Sequence, residues 1–230
     1  MNIGGFQEIS LLDYPGKVAT IIWTTGCNFR CPFCYNPDMV LDKTDHVPVG
    51  EFISFLKKRK GKIDAVSISG GEPFLQPDLS DFITRVKNLG FLVKVDTNGS
   101  FPSKLEELLE KELVDYVSMD VKSSKKHYSE ITKVSINIDD IDRSIQLIMK
   151  DAPDYEFKTT VIPLFHSEED IIEIAKWIKG AKRYYLQQFK SDTTLLSSET
   201  ASVKPYKVDV LKQMCEKVSS YVDHCMVRGG

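Results

Sequence analysis

Short runs of β-branched and aromatic residues alternate along this chain with longer stretches whose apolar positions recur every three or four residues. The first pattern reads as buried strand, the second as amphipathic helix. Lys17–Trp23, Asp64–Ser69, Phe91–Thr97, Asp115–Val121, Tyr155–Ile162 and Arg183–Phe189 are the expected strands. The helices between them are VGEFISFLKKRKG, PDLSDFITRVKNLG, PSKLEELLEKEL, NIDDIDRSIQLIMK and SEEDIIEIAKWIKG. A further helix is expected at about Tyr206–Tyr221, and DHCMVRGG offers one more strand. Gly61 and Gly90 stand where two helices stop. Asn137 and Ser167 are placed as N-caps, with Asp170 three residues after Ser167 in the capping-box position.

About six strand–helix units in a row imply a parallel sheet with right-handed crossovers. Six units cannot close an eight-fold barrel, which leaves an open or partial barrel or a doubly wound sheet. The expected organisation is one domain over 1–230: an extension over 1–16, a strand–helix core over 17–190, and a C-terminal helix and strand over 191–230. In either architecture ligands gather at the carboxyl ends of the strands. The unusual residues fall there: a cysteine loop after the first strand, SGGEP after the second, DTNGS and MDVKSS closing the third and fourth, IPLFHS after the fifth, and QQFK ending the sixth.

Composition changes little: 230 residues, 42% hydrophobic, 27% charged, formal net charge −3. The slight acidity argues against broad nucleic-acid binding. No apolar run has the length of a membrane span and no signal-peptide pattern opens the chain, so a cytoplasmic, reduced protein is expected. The basic run KKRKGK, Lys57–Lys62, reads as a solvated helix terminus complementing the dipole, or else as a docking point for an acidic partner.

Five cysteines, three of them inside eight residues, do not form a disulfide framework. Cys27, Cys31 and Cys34 are spaced Cx3Cx2C. A structural zinc needs a fourth ligand; the nearest candidate, His46, is twelve residues on. Cys215 and Cys225 lie far off and read as buried small hydrophobes. A four-iron cluster takes four thiolates, so three leave one iron open for a substrate or cofactor. Paired Gly70 and Gly71 permit close backbone approach, and Pro73 keeps a helix from starting inside the loop. Asn98–Gly99 favours a turn. Asp120 and Lys122, two apart on a strand, point to one face, either as a ligand-binding pair or as a salt bridge on a solvated edge. His166, ahead of a capped helix, reads as structural.

Cx3Cx2C with aromatic Phe33 before the third cysteine resembles the cluster loop of the radical S-adenosylmethionine (SAM) enzymes. The resemblance implies a partial (β/α)6 TIM-like barrel and one [4Fe–4S] cluster on Cys27, Cys31 and Cys34, with SAM chelating the open iron. It implies SAM contacts from Phe33, Tyr35, Gly70, Gly71, Glu72, Asp96, Thr97, Asn98, Asp120 and Lys122, with Val161 and Ile162 toward adenine and Gln188 toward ribose. It also suggests a monovalent cation shared by Asp96 and Asp120. The lead-in SLLDYPGKVATIIWTTGCNFRCPFCYNPD resembles the activating proteins of anaerobic ribonucleoside-triphosphate reductase, whereas formate-lyase activating enzymes typically carry DGPG where Asp13–Gly16 reads DYPG. The implied reaction is reductive SAM cleavage and hydrogen abstraction from a glycine of a partner reductase, with a flavodoxin or ferredoxin as electron donor. Two cysteines beyond the loop are too few for an auxiliary cluster. The alternatives are an activase of another glycyl-radical enzyme, a small-molecule radical SAM enzyme, and a non-catalytic zinc module.

Overall fold

The structure is a computed structural model and describes residues 1–229. Eight strands form one sheet in strict chain order. They are β1 (Ile3–Ser10), β2 (Ala19–Thr24), β3 (Ala65–Gly70), β4 (Leu92–Thr97), β5 (Tyr116–Asp120), β6 (Tyr155–Val161), β7 (Tyr184–Gln188) and β8 (Cys225–Arg228). The helices are α1 (Pro37–Val40), α2 (Val49–Arg59), α3 (Leu79–Asn88), α4 (Pro102–Glu110), α5 (Tyr128–Thr132), α6 (Ile138–Asp151), α7 (Glu168–Trp177) and α8 (Val208–Val218). β2 to β8 run parallel; β1 pairs antiparallel to β2. β1 and β8 stay as edges, so the sheet is an open, partial barrel.

Every strand expected from the sequence is present within two residues of its expected ends, and the C-terminal strand is real. The stretch expected as an extension instead forms β1. Its sequence, IGGFQEIS, has no period-2 apolar pattern, because an antiparallel edge strand buries little and pairs through its backbone. The caps behave as the sequence implies: Ser167 and Asp170 form a full capping box, and Asn137 accepts from the Asp139 N–H.

Strand parity sorts the residues. Val66, Ile68, Val93, Val95, Val117, Met119, Phe157 and Val161 face the helices and build the main core. The concave face begins with Ala19, Ala65, Leu92 and Tyr116, plugged by Tyr14 from the β1–β2 turn. Above this plug it becomes polar. Glu156 is 1% exposed and accepts from the Tyr116 and Ser118 hydroxyls, at 2.9 Å each, and from both Arg228 guanidinium nitrogens, at 2.7 and 2.9 Å. β8 therefore contributes a charge to the interior from two strands away.

One sequence expectation is corrected. Cys215 and Cys225, read as separate buried thiols, are joined as a disulfide, with Cα atoms 5.2 Å apart. α8 folds back along β8 and brings together positions ten apart; spacing alone carries no sign of it. Among the described residues, no helix is long and apolar enough to cross a membrane.

Candidate active site

The carboxyl ends of β2 to β7 enclose a cavity of about 900 Å³, counted to its open mouth. Cys27, Cys31 and Cys34 form one wall, with Phe29, Phe33 and Tyr35 between and beside them. Distant segments hold this loop. The Gly26 N–H donates to the Met39 carbonyl at 2.8 Å, and the Arg30 N–H to that of Thr132 at 2.9 Å. After β7 the chain returns and clamps it, Leu196 N–H to the Cys34 carbonyl and Ser197 N–H to the Pro32 carbonyl, at 3.1 and 3.0 Å. Tyr35 stacks on Phe189 and its hydroxyl accepts from the Lys190 N–H.

Burial pushes the Cys27 thiol up to about 11 and the Cys31 thiol up to about 12. Metal loading therefore has to displace protons from these two sulfurs. The Phe29 N–H lies 3.4 Å from the Cys27 sulfur and donates to it, and Asn98 Nδ2 stands at 4.0 Å from the same atom. Such contacts tune a thiolate-bound cluster when one is present. The three thiols open on the same cavity, yet among the described residues no three His, Cys, Asp or Glu side chains converge on a single-ion position. Three thiols on one cavity are one short of the four ligands of a structural zinc, and match three irons of a four-iron cluster whose fourth iron stays open.

The glycine loop is explained by backbone contact. The Gly71 and Glu72 N–H groups donate to the carbonyls of Thr24 and Gly26, both at 2.8 Å. The GGE loop is thus stitched directly to the loop that begins the cysteine motif. Gly70 has φ +109°, and a side chain there would strike the Thr24 backbone. Glu72 does not line the cavity. Its buried carboxylate accepts from the Phe74 N–H, the Thr97 hydroxyl and the Asn98 N–H at 3.1, 2.9 and 2.7 Å, tying β3 to the end of β4.

Burial pushes the Glu72 carboxyl from 4.5 up to about 7, outweighing these three donors. The folded state then binds the proton more tightly than the unfolded one. This stabilising contribution is full below pH 4.5 and fades as pH rises through about 7. In the metal-free protein, raising the pH from about 5 to about 8 should cost the native chain on the order of 2 kcal/mol more than Glu72→Gln. Urea unfolding across that range reads the difference; parallel curves would refute the burial account.

Of the residues singled out in the sequence, Gly70, Gly71, Asp96, Thr97, Asn98, Asp120 and Lys122 line the cavity. Val161 and Ile162 do not; they are buried in the core. Gln188 also lies off the cavity, donating to the Tyr206 carbonyl at 2.8 Å. Its partner in the β6–β7 register is Val161, whereas the cavity residues are the preceding pair, Thr160 and Gln187. The sequence alone does not show which parity of these strands faces the cavity. Asp120 stands opposite Lys158 in the ladder, so counting in twos from Lys158 finds Thr160. Ser69 and Lys158 were likewise missed.

His166 is fully buried; its Nδ1 accepts from the Ile162 N–H and its Nε2 donates to the Lys122 carbonyl, at 3.1 and 2.9 Å. Burial lowers its pKa, and it fixes the loop that carries Lys122. His46 bonds Asp42 at 2.8 Å, outside the cavity. Burial disfavours the Lys122 charge, but the Asp120 carboxylate at 2.8 Å outweighs it and raises the Lys122 pKa. Asp96 and Asp120, expected to share a cation, are each engaged by lysine: Lys94 and Lys158 on Asp96, Lys122 on Asp120. The second oxygen of Asp120, Oδ1, is buried without a partner, which leaves an acceptor for a donor of a bound ligand.

An open parallel barrel with three thiols at the mouth of its first parallel strand defines an iron–sulfur enzyme that works on a ligand at the strand ends. The chain belongs to the radical SAM superfamily, whose sequence model matches residues 21–178. Enzymes of this superfamily use a [4Fe–4S] cluster and SAM, and this chain is one of them. Within the superfamily it is related to glycyl-radical enzyme activating enzymes. A Methanocaldococcus jannaschii protein provisionally named as one is 35% identical over 98% of this chain and 95% of its own length. The pyruvate formate-lyase-activating enzyme of Clostridium pasteurianum is 29% identical over 79% of this chain and 77% of its own. Among solved structures, Streptococcus suis SuiB bound to S-adenosylmethionine superposes with TM-score 0.70 at 17% identity over 91% of this chain. The chain spans about half of SuiB, 50% of its length. A domain of a pyruvate-formate lyase-activating enzyme from Bacteroides vulgatus gives 0.56 at 19% identity, covering 72% of this chain and 99% of that one. At these identities the structures report shared fold.

Proposed function

We propose that this protein activates a glycyl-radical enzyme, that its target is an anaerobic ribonucleoside-triphosphate reductase, and that a flavodoxin or ferredoxin supplies its electrons. The observation that carries the reading is the three-thiol wall facing a cavity ringed by polar strand ends. Cys27, Cys31 and Cys34 would hold the cluster. Once bound there, the cluster would supply the one-electron reduction of SAM, and with it the hydrogen-atom abstraction from the target glycine.

The chain's own residues bind, orient and exclude water. Phe29, Phe33 and Tyr35 shield the cluster side, Asp120 Oδ1 offers an acceptor, and Lys122 offers a cation. Hydrogen-atom transfer needs near contact and no acid–base pair. The open sheet edge is compatible with a substrate that is a loop of another protein. The DYPG lead-in at Asp13–Gly16 supports the reductase as target. The Clostridium pasteurianum relative supports a second reading, a formate-lyase type target.

Reconstituted, reduced protein incubated anaerobically with SAM and the reductase should release 5′-deoxyadenosine and give a glycine-centred EPR signal. Release without that signal removes the reductase as target, and the same mixture with a formate-lyase then examines the second reading.

A further inference from the structure

Asp96 and Asp120 close β4 and β5, and both carboxylates face the cavity next to the thiols. Three ammonium groups stand on these two acids. Lys94 and Lys158 Nζ lie 2.5 and 3.7 Å from the same Asp96 oxygen, and Lys122 Nζ lies 2.8 Å from Asp120 Oδ2. The arrangement follows from strand register. Lys94 precedes Asp96 by two on β4, and Lys158 faces Asp120 across the β5–β6 ladder. Lys158 reaches the cavity wall, while Lys94, 4% exposed, sits beneath it.

Below them Glu156 is paired to Arg228. The interior therefore carries alternating charge: Arg228, Glu156, Lys94, Asp96, Lys158. With Lys122 and Asp120 included, four positive groups meet three negative ones. A metal cation on Asp96 and Asp120 would add charge to a positive surplus, at an oxygen two ammonium groups already approach. An anionic carboxylate would neutralise that surplus. Although burial works against the charge on Asp96, Lys158 and Lys94 hold its carboxyl well below the usual range.

We propose that Lys158, steadied through Asp96 by Lys94, is a built-in cation that replaces a monovalent metal ion at Asp96 and Asp120 and meets the carboxylate of SAM. This rests on the SAM-cleaving reading above. Lys158 is then a positioning and binding residue that removes any need for sodium or potassium.

The test is SAM binding to the reconstituted protein, measured anaerobically by equilibrium dialysis at constant ionic strength in potassium, sodium or tetramethylammonium chloride. The native protein should bind equally in all three. Lys158→Ala should bind about tenfold more weakly in tetramethylammonium, the size of one lost charge-assisted contact. Potassium, sodium or methylammonium should restore it. Native binding that falls about tenfold when sodium and potassium are withdrawn overturns the proposal, and needs no variant to fold. So does a Lys158→Ala protein that binds like the native one in tetramethylammonium, or one equally weak in every salt. Absence of native binding in any salt overturns the function itself, and is thereby distinct from a failure confined to the cation.

Discussion

Cys31→Ala is expected to leave a folded, nearly colourless protein that cleaves SAM more than about 100-fold more slowly than the native enzyme; losing the partner of a metal ligand alone costs 10- to 100-fold. Cys31 is the most buried thiol of the loop, at 6% exposed, and lies between the other two. Its removal leaves two sulfurs for a group that needs at least three here. The same substitution deletes one small, buried sulfur, so the metal-free protein should lose only about 1 kcal/mol. Iron content, SAM cleavage and the melting temperature of the metal-free chain separate the two effects. Full iron loading in Cys31→Ala would remove this residue from the ligand set. A collapse of the metal-free melting temperature would make its role one of packing.

Gly71→Ala should do the reverse, damaging the fold first and the chemistry through it. An added Cβ would fall inside the van der Waals shell of the Gly26 carbonyl oxygen and 2.6 Å from its carbon. The obstacle is backbone, so no rotamer relieves it. The Thr24–Gly26 and Gly70–Glu72 segments would have to part, breaking the two 2.8 Å bonds between them. We expect a loss of about 3 kcal/mol or more, the range of severe strain and broken buried bonds. Iron uptake should fall with it, because Gly26 leads directly into Cys27. Gly50→Ala is the control: nothing lies within 4 Å of a Cβ there, in the first turn of α2. It should be neutral or stabilising by up to about 1 kcal/mol. Chemical denaturation of the three metal-free proteins decides, and a Gly71→Ala chain as stable as Gly50→Ala would show that the loops can separate freely.

Much of this molecule could be read from its sequence because parallel strands buried on both faces leave a strong local signature. Val93, Val95, Val117 and Phe157 announce their strands, and Asn137 and Ser167 announce their helices. The cysteine loop carries its spacing in consecutive residues. What escaped depends on pairing across the chain. β1 is held by ladder bonds to β2 and not by a buried stripe. The disulfide depends on α8 doubling back along β8. Val161 and Gln188 were named, and Thr160 and Gln187 were not, because the run of residues does not show which parity faces the cavity. Lys94 and Lys158, charged residues inside strands, were the signal that could have set it: a lysine flanked by valines in a buried strand has to meet an acid. Glu72 shows the converse. The sequence marks it as special, and its carboxylate is spent on the loop of β4.

The strict order of the sheet also bears on how the enzyme is made. Each strand pairs only with its neighbours in the chain, so the barrel can be laid down strand by strand as the polypeptide leaves the ribosome. Cys27, Cys31 and Cys34 emerge near the start, while Lys158 and Arg228 close the interior only later. At about 5–20 residues per second, the thiols wait on the order of ten seconds before that far wall is synthesised. Until then they would lack the far wall that separates them from water, oxygen and stray metals. Speed of synthesis and oxygen tension during translation would then bear on how much active enzyme is obtained, which expression at graded oxygen levels followed by an iron count measures.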